Sequence, residues 1–322
     1  MQQLKPSSLD AIRAAAERIR GLALRTPLIH LNHDDAPAEI YLKMENLQPI
    51  GSFKIRPAAS AILNAPPERI AQGVYTASSG NMAQGVAYAA KQLDIAATVV
   101  LPEDAAANKV EALRRLGATI KFLPDQEWWR VLEERGHPDI SGHFVHPVAD
   151  ADVMAGDATV GLEIIEDLPD VDTVVVPFGG GGLATGIGSA LRALGSQARA
   201  LGAESDHCMP LAAALEAGNP VQLPIQPSFV SGIGVGRVLD EMWPVVAELI
   251  PGAVCASAQE IAATIRLLFE RHRVIAEGAG AASVAAALAG RAGHGKVVCV
   301  ISGGNLDAKY LIEILNGRIP QA

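Results

Sequence analysis

The sequence predicts an α/β fold of two lobes, each a mostly parallel sheet flanked by helices, with a cleft between them. Three observations carry that expectation. Short β-like apolar runs alternate with stretches of helical periodicity, the grammar of strand–helix–strand units. Runs such as Thr173-Val174-Val175-Val176 are apolar without alternation, so both strand faces should be covered, as in parallel sheets. The 31 glycines and 20 prolines fall between the apolar runs, which marks many short elements.

The elements follow in order. Ser8 is placed to cap a helix whose apolar face is Leu9, Ile12, Ala16 and Ile19, with Arg13, Glu17 and Arg20 opposite. β-like runs span 40–44, 73–77, 96–101, 119–123, 173–178, 199–203 and 296–301. Helical stretches cover 81–93, 108–116, 153–166, 183–194, 258–272 and 307–315. A further helix after Pro124 carries Trp128 and Trp129, which read as packing residues. The polar, His-rich stretch from Gly136 to Asp152 is the best boundary between lobes. His143 and His146 within it raise a zinc site, but no cysteine or further ligand at the usual spacing supports one.

Composition narrows the function classes. The 322 residues include 26 Lys+Arg and 35 Asp+Glu, a formal charge of −9, and 49% are hydrophobic. That is globular composition with no basic stripe, which argues against disorder and against a nucleic-acid partner. The apolar stretch Gly278 to Leu288 is far short of the roughly 20 residues a spanning helix needs. The start, Met1-Gln2-Gln3-Leu4-Lys5, lacks the basic-then-apolar order of a signal peptide. Cys208, Cys255 and Cys299 form no CxxC and no even framework, so a reducing cytoplasm is expected.

In open α/β sheets ligands bind beyond the carboxyl ends of strands, and four loops there hold chemistry. In Gly51-Ser52-Phe53-Lys54 a lysine opens a helix after a tight turn; a desolvated lysine can form a Schiff base, although a solvated helix-start lysine is the commoner use. Ser78-Ser79-Gly80-Asn81 enters a helix and offers hydroxyls and backbone N–H groups to a carboxylate, or simply caps the helix. Gly179, Gly180, Gly181 and Gly182 stand between a strand and a helix beginning at Leu183, where backbone donors and the helix dipole favour phosphate. No Gly-Lys-Ser/Thr follows, so this is not an ATP-type P-loop. Ser302-Gly303-Gly304-Asn305 is the fourth loop. A GxGxxA reading of the glycine run, with Glu204 as the ribose-binding acid, would make a NAD-dependent oxidoreductase, but it leaves Lys54 and Ser302 unexplained.

Taken together, these loops supply the parts for binding pyridoxal 5'-phosphate and an amino acid. With Leu42-Lys43-Met44-Glu45-Asn46-Leu47-Gln48, Val230 to Gly236 and Glu277-Gly278-Ala279-Gly280-Ala281, their order resembles the tryptophan-synthase-β-like (fold type II) pyridoxal-phosphate enzymes. Within these the chain is similar to the threonine/serine dehydratase and serine racemase group, from about Leu9 to about Leu315. The resemblance implies a large cofactor-binding domain of residues 1–72 and 148–322 and a small domain, 73–147, carrying the carboxylate loop. It implies that Lys54 anchors the cofactor and is the catalytic base, that Phe53 packs on its ring, and that Asn81 bonds the ring hydroxyl. Gly179 to Leu183 would hold the phosphate and Ser302 would face the pyridine nitrogen. Ser78, Ser79 and the backbone of Gly80, Asn81 and Met82 would seat the substrate carboxylate, and Ser79 matches the second base of the family's racemases. The implied reaction is loss of water from a β-hydroxy-α-amino acid, giving a 2-oxo acid and ammonia, with racemisation as the alternative, in a homodimer or other homo-oligomer.

The chain also departs from the family pattern. Met82 stands where the family usually has His, Arg56-Pro57-Ala58 where Arg-Gly-Ala is common, and Gly156-Asp157-Ala158-Thr159 where Gly-Gln-Gly-Thr is usual. Glu204 remains from the racemases' cation loop, but Pro210 replaces its second carboxylate, so no metal is expected. Met82, with Phe178 before the glycine run, suggests an apolar substrate pocket and hence phenylserine, with threonine and serine as the default.

Overall fold

The computed structural model describes residues 4–321, so Met1–Gln3 of the segment read for a leader lie outside the described residues. Along the chain run α1 (Leu9–Arg18), β1 (Leu28–His30), β2 (Glu39–Lys43), α2 (Ile55–Asn64), α3 (Pro67–Ile70), β3 (Val74–Ala77), α4 (Asn81–Gln92), β4 (Ala97–Pro102), α5 (Ala107–Arg115), β5 (Thr119–Leu123), α6 (Asp125–Glu133) and β6 (His143–Phe144). There follow α7 (Ala151–Asp167), β7 (Thr173–Pro177), α8 (Gly182–Ala193), β8 (Arg199–Ser205), α9 (Pro210–Ala217), α10 (Trp243–Leu249), β9 (Gly252–Ala256), α11 (Ala258–Leu267), α12 (Gly278–Leu288), β10 (Lys296–Val300) and α13 (Ala308–Leu315). Ser8 caps α1 as expected, its hydroxyl accepting from the Ala11 amide. The helix expected over 258–272 is α11 followed by a π-helical turn, Leu268–His272, that ends on Arg273 at φ +59°.

The strands form two sheets. One has the order β1-β2-β10-β7-β8-β9, parallel throughout except for the β1–β2 pair; the other, β5-β4-β3-β6, is wholly parallel. Apolar clusters cover both faces of the larger sheet, Val175, Val297 and Cys299 facing one and Val174, Val176, Val298 and Val300 the other. That two-sided burial is why these strands read as continuous apolar runs. Helix α2 packs between α4 and α7 at glycine notches. A Cβ built on Gly85 would lie 2.6 Å from the Lys54 carbonyl, and one on Gly156 2.7 Å from that of Arg56. Only residues without a side chain let α4 and α7 approach the start of α2 so closely.

Beneath that junction lies a buried ionic network. Arg56, 1% exposed, donates from Nε and Nη2 to Glu45 and from Nη1 and Nη2 to Glu163, and Glu163 also accepts from Lys43 at 2.6 Å. The network ties β2, the turn after it, α2 and α7 together immediately beside Lys54. Among the described residues no helix is long and apolar enough to cross a membrane.

Candidate active site

Three of the four loops leave the carboxyl ends of neighbouring parallel strands, β2, β10 and β7, and the fourth leaves β3 of the other sheet. Register puts Val300 beside Lys43, so the loops after β10 and β2 emerge together. They remain paired: Ser52 bridges Gly303, the Phe53 amide donates to the Ser302 carbonyl at 2.9 Å, and the Gly304 amide donates to Gly51 at 2.8 Å. Gly51 makes this turn at φ +71°, where a Cβ would also strike Asn305 Oδ1 at 2.6 Å. Lys54 is thereby held at the head of α2 by the loop that carries Ser302.

The amine of Lys54 points inward, donating to the Pro147 carbonyl at 2.8 Å and lying 5.0 Å from the centre of the Phe53 ring. Burial pulls it below the ordinary lysine value, and the nearby Asp157 carboxyl partly opposes that. A larger fraction of neutral amine, able to act as nucleophile or base, follows near pH 7. Val148, next to Pro147, lies against the glycine run: a Cβ on Gly180 would fall 2.7 Å from its Cγ2. Gly181 precedes α8 at φ +91°, so the run turns the first amides of that helix toward the space beyond β7. The glycine run and the lysine therefore flank one short segment, Pro147-Val148.

The β3 loop joins through side-chain amides. Asn81 donates to Glu277 Oε1 at 2.8 Å and accepts from Asn305 Nδ2 at 2.8 Å, and the Glu277 amide donates to the Gly303 carbonyl. Among the described residues one N–H of the Asn81 amide is left for another acceptor. Glu277 is enclosed, and burial raises its carboxyl to about 7 despite the Asn81 hydrogen bond. Ser78 accepts from the Gly80 amide at 3.2 Å, and Ser78, Ser79 and Gly80 are partly exposed at the head of α4. The motif beginning at Glu277 was legible, but its link to Asn81 and Asn305 was not.

Other expectations need correction. The Met82 side chain is 2% exposed within the cluster of Ile50, Ile55, Ala58 and Val86, and Phe178 is fully buried with Val176, Leu183 and Leu211. Neither side chain adds apolar surface to a pocket, because each lies on the inward face of its element; only the Met82 backbone is at the helix start. Glu204 does not present a free carboxylate, since its oxygens accept from the Leu211 and Ala212 amides at 2.6 and 3.0 Å and cap α9. Nδ1 of His146 accepts from the amides of Val148 and Ala149, and burial, with Arg135 and Lys54, lowers this histidine to about 3. Among the described residues no group of three or more His, Cys, Asp or Glu could hold a metal ion.

A buried amine, a glycine run leading into a helix start and a partly exposed set of hydroxyls and amides fit a phosphorylated aldehyde cofactor and an amino acid. Residues 19–303 match the family described as pyridoxal-phosphate dependent enzyme, and the chain belongs to that family. It is a fold type II enzyme, its parallel sheets flanked by helices, with pyridoxal phosphate as cofactor. It is 40% identical over 314 residues to the L-threonine ammonia-lyase of Geobacter sulfurreducens, covering 94% of this chain and 77% of that one. To the catabolic L-threonine dehydratase of Staphylococcus aureus it is 35% identical over 310 residues, covering 93% and 89%. Maize serine racemase superposes with a TM-score of 0.87 at 31% identity, over 97% of this chain and 98% of that one. The dinucleotide reading of the glycine run is set aside by the family match.

Proposed function

We infer that the protein is a dehydratase that removes water from a β-hydroxy-α-amino acid, threonine or serine, releasing a 2-oxo acid and ammonium. The observation that carries this reading is that Lys54, the glycine run and the β3 loop are tied together through Pro147-Val148 and Asn305, with the hydroxyl residue Ser302 in the loop that holds Lys54. The threonine ammonia-lyase and dehydratase relatives support it. Gly179, Gly180, Gly181, Gly182 and Leu183 would hold the cofactor phosphate through backbone amides, Phe53 would flank the ring, Asn81 would offer its second N–H to the ring oxygen, and Ser302 would serve the ring nitrogen. When bound, the cofactor supplies the electron sink that makes the substrate Cα proton removable and a β-hydroxyl expellable. A hydroxyl partner at the ring nitrogen, unlike a carboxylate, does not enforce protonation there, and this favours prompt loss of the β-group. Ser78, Ser79 and the amides of Gly80, Asn81 and Met82 orient the carboxylate at the head of α4. Lys54 takes the Cα proton. Residues 73–147, which hold the smaller sheet, act as the small domain that presents this carboxylate loop.

With Met82 and Phe178 directed into cores, nothing in the site argues for phenylserine over the smaller substrates. The racemase reading keeps one supporting observation, Ser79 at the α4 head, alongside the likeness to maize serine racemase. Measuring 2-oxo acid and ammonia from threonine, serine and phenylserine, with Cα-deuterated serine followed for inversion, tests both. Equimolar keto acid and ammonia are expected from threonine and serine. Loss of deuterium with inversion and no keto acid would replace dehydration by racemisation.

A further inference from the structure

Asp157 is fully buried in the middle of α7, and among the described residues neither carboxyl oxygen has a hydrogen-bond partner. Its position is fixed by glycine contacts with α8. A Cβ on Gly186 would fall 2.6 Å from the Asp157 Cβ, and one on Gly182 would fall 3.0 Å from Oδ2. The carboxyl therefore lies against the last glycine of the phosphate-type run, on the first turn of the helix. Leaving an ionised carboxylate buried without donors is among the costliest arrangements in a protein interior, so the group requires either a cation or a proton.

The charged groups acting on it are Lys54 and Arg56 at the head of α2 and Glu45 beyond them; the stretch of α8 beside it, Gly182 to Gly188, carries no charge. Arg56 is committed, with its Nε and both terminal nitrogens donating to Glu45, Glu163, Thr159 and the Leu24 carbonyl. Lys54 donates to Pro147. Neither cation supplies a hydrogen bond, and Glu45 repels. Phosphate bound at the glycine run adds negative charge beside the same carboxyl, and two anions close together at low dielectric do not both stay ionised.

We propose that Asp157 holds a proton at the glycine run: its carboxyl is neutral when the cofactor phosphate is bound, so that cofactor binding takes up one proton from solvent. The inference rests on the reading of that run as the phosphate site. Burial, only partly offset by Lys54, already raises Asp157 to about 7, which places it where such uptake occurs near neutral pH.

The test uses the holoenzyme labelled with 13C at the aspartate side-chain carboxyl. At pH 7.5 one aspartate line is expected at the protonated position, that of Asp157, whose burial without a partner raises it to about 7 before any phosphate is added. Asp157→Asn should remove that line. The ratio of pyridoxal-phosphate dissociation constants, wild type over Asp157→Asn, should rise by up to about tenfold per pH unit above pH 7, the signature of one linked proton. The labelled wild type alone decides the case if the Asn variant does not fold: every aspartate line at the ionised position at pH 7.5 would overturn the proposal, as would a flat ratio. If pyridoxal phosphate gives no lysine-bound visible band in the wild type, the reading of the site falls and the inference with it. If the band forms and no protonated aspartate is seen, the inference alone is wrong.

Discussion

At the scale of single residues, the site separates groups that face ligand from groups that hold them. Lys54 is proposed as the first kind, since its amine points inward between Pro147 and Phe53. Lys54→Ala is expected to abolish turnover and the visible band of the lysine-bound cofactor. A borohydride-fixed adduct persisting in that variant would disprove the assignment. Arg56 is the second kind. Replacing it by Leu leaves Glu45 and Glu163 buried with their main partner gone, at a cost on the order of 3–5 kcal/mol. Arg56→Lys restores charge but not the two-pronged donation, so it should recover only part of the urea midpoint. Full recovery by lysine would show that the planar fork is not what the network uses. Ser79→Ala separates the two reactions: the lost carboxylate contact should raise KM for both, while kcat for any serine inversion should fall much further than kcat for keto-acid release.

Among the elements, α9 shows how a helix start accounts for a residue that the family resemblance assigned to a cation loop. Glu204 looks in sequence like the remnant of a cation loop, yet both oxygens cap the amides at the start of α9. Glu204→Ala is expected to cost about 1–2 kcal/mol, read as a lower melting temperature, while EDTA should leave wild-type activity within two-fold. Magnesium-restored activity after chelation would refute this. Strand β5 was legible to its end residues because Thr119–Leu123 lies between a Gly-Ala turn and Pro124. In contrast, α12 was seen only as an Ala/Gly-rich apolar stretch. All residues from Gly278 to Ala287 are buried, so no polar face exists to give a helical period. Three-residue β1 and the Gly-started β9 offer too few β-branched positions to signal a strand. The site's loops were legible because each has its own turn chemistry. The Glu277–Asn81–Asn305 links and the isolation of Asp157 were not, since they depend on contacts between residues some two hundred positions apart or on packing across helices.

Across the whole molecule, the interior stores an unusual set of titrating groups, and their balance sets stability against pH. Burial raises the carboxyls of Asp157, Glu204 and Glu277 each to about 7, from ordinary values of 3.8 to 4.5. Between those values the native chain binds more protons than the unfolded one, so this set makes stability fall as pH rises through the window. Burial acts oppositely on His143, His146, His207 and His272, which are lowered from 6.5, His146 to about 3. Below pH 6.5 the unfolded chain binds protons that these native histidines refuse, so they make stability rise with pH up to about 6.5. The two sets oppose one another between about pH 4.5 and 6.5. Above 6.5 the histidines are largely neutral in both states, and the three carboxyls outweigh the one lowered amine, Lys54, which acts in the opposite direction. Stability should therefore decline gently from about pH 6.5 to 7.5, by at most about 1.4 kcal/mol per pH unit for each carboxyl, and then level off. Urea midpoints of the cofactor-free protein over pH 6 to 8.5 check this, and Glu277→Gln, which keeps an acceptor for Asn81, should flatten the decline. A midpoint that climbs between pH 6.5 and 7.5 would mean that the three carboxyls are ionised in the native state and that their burial is offset by partners other than protons.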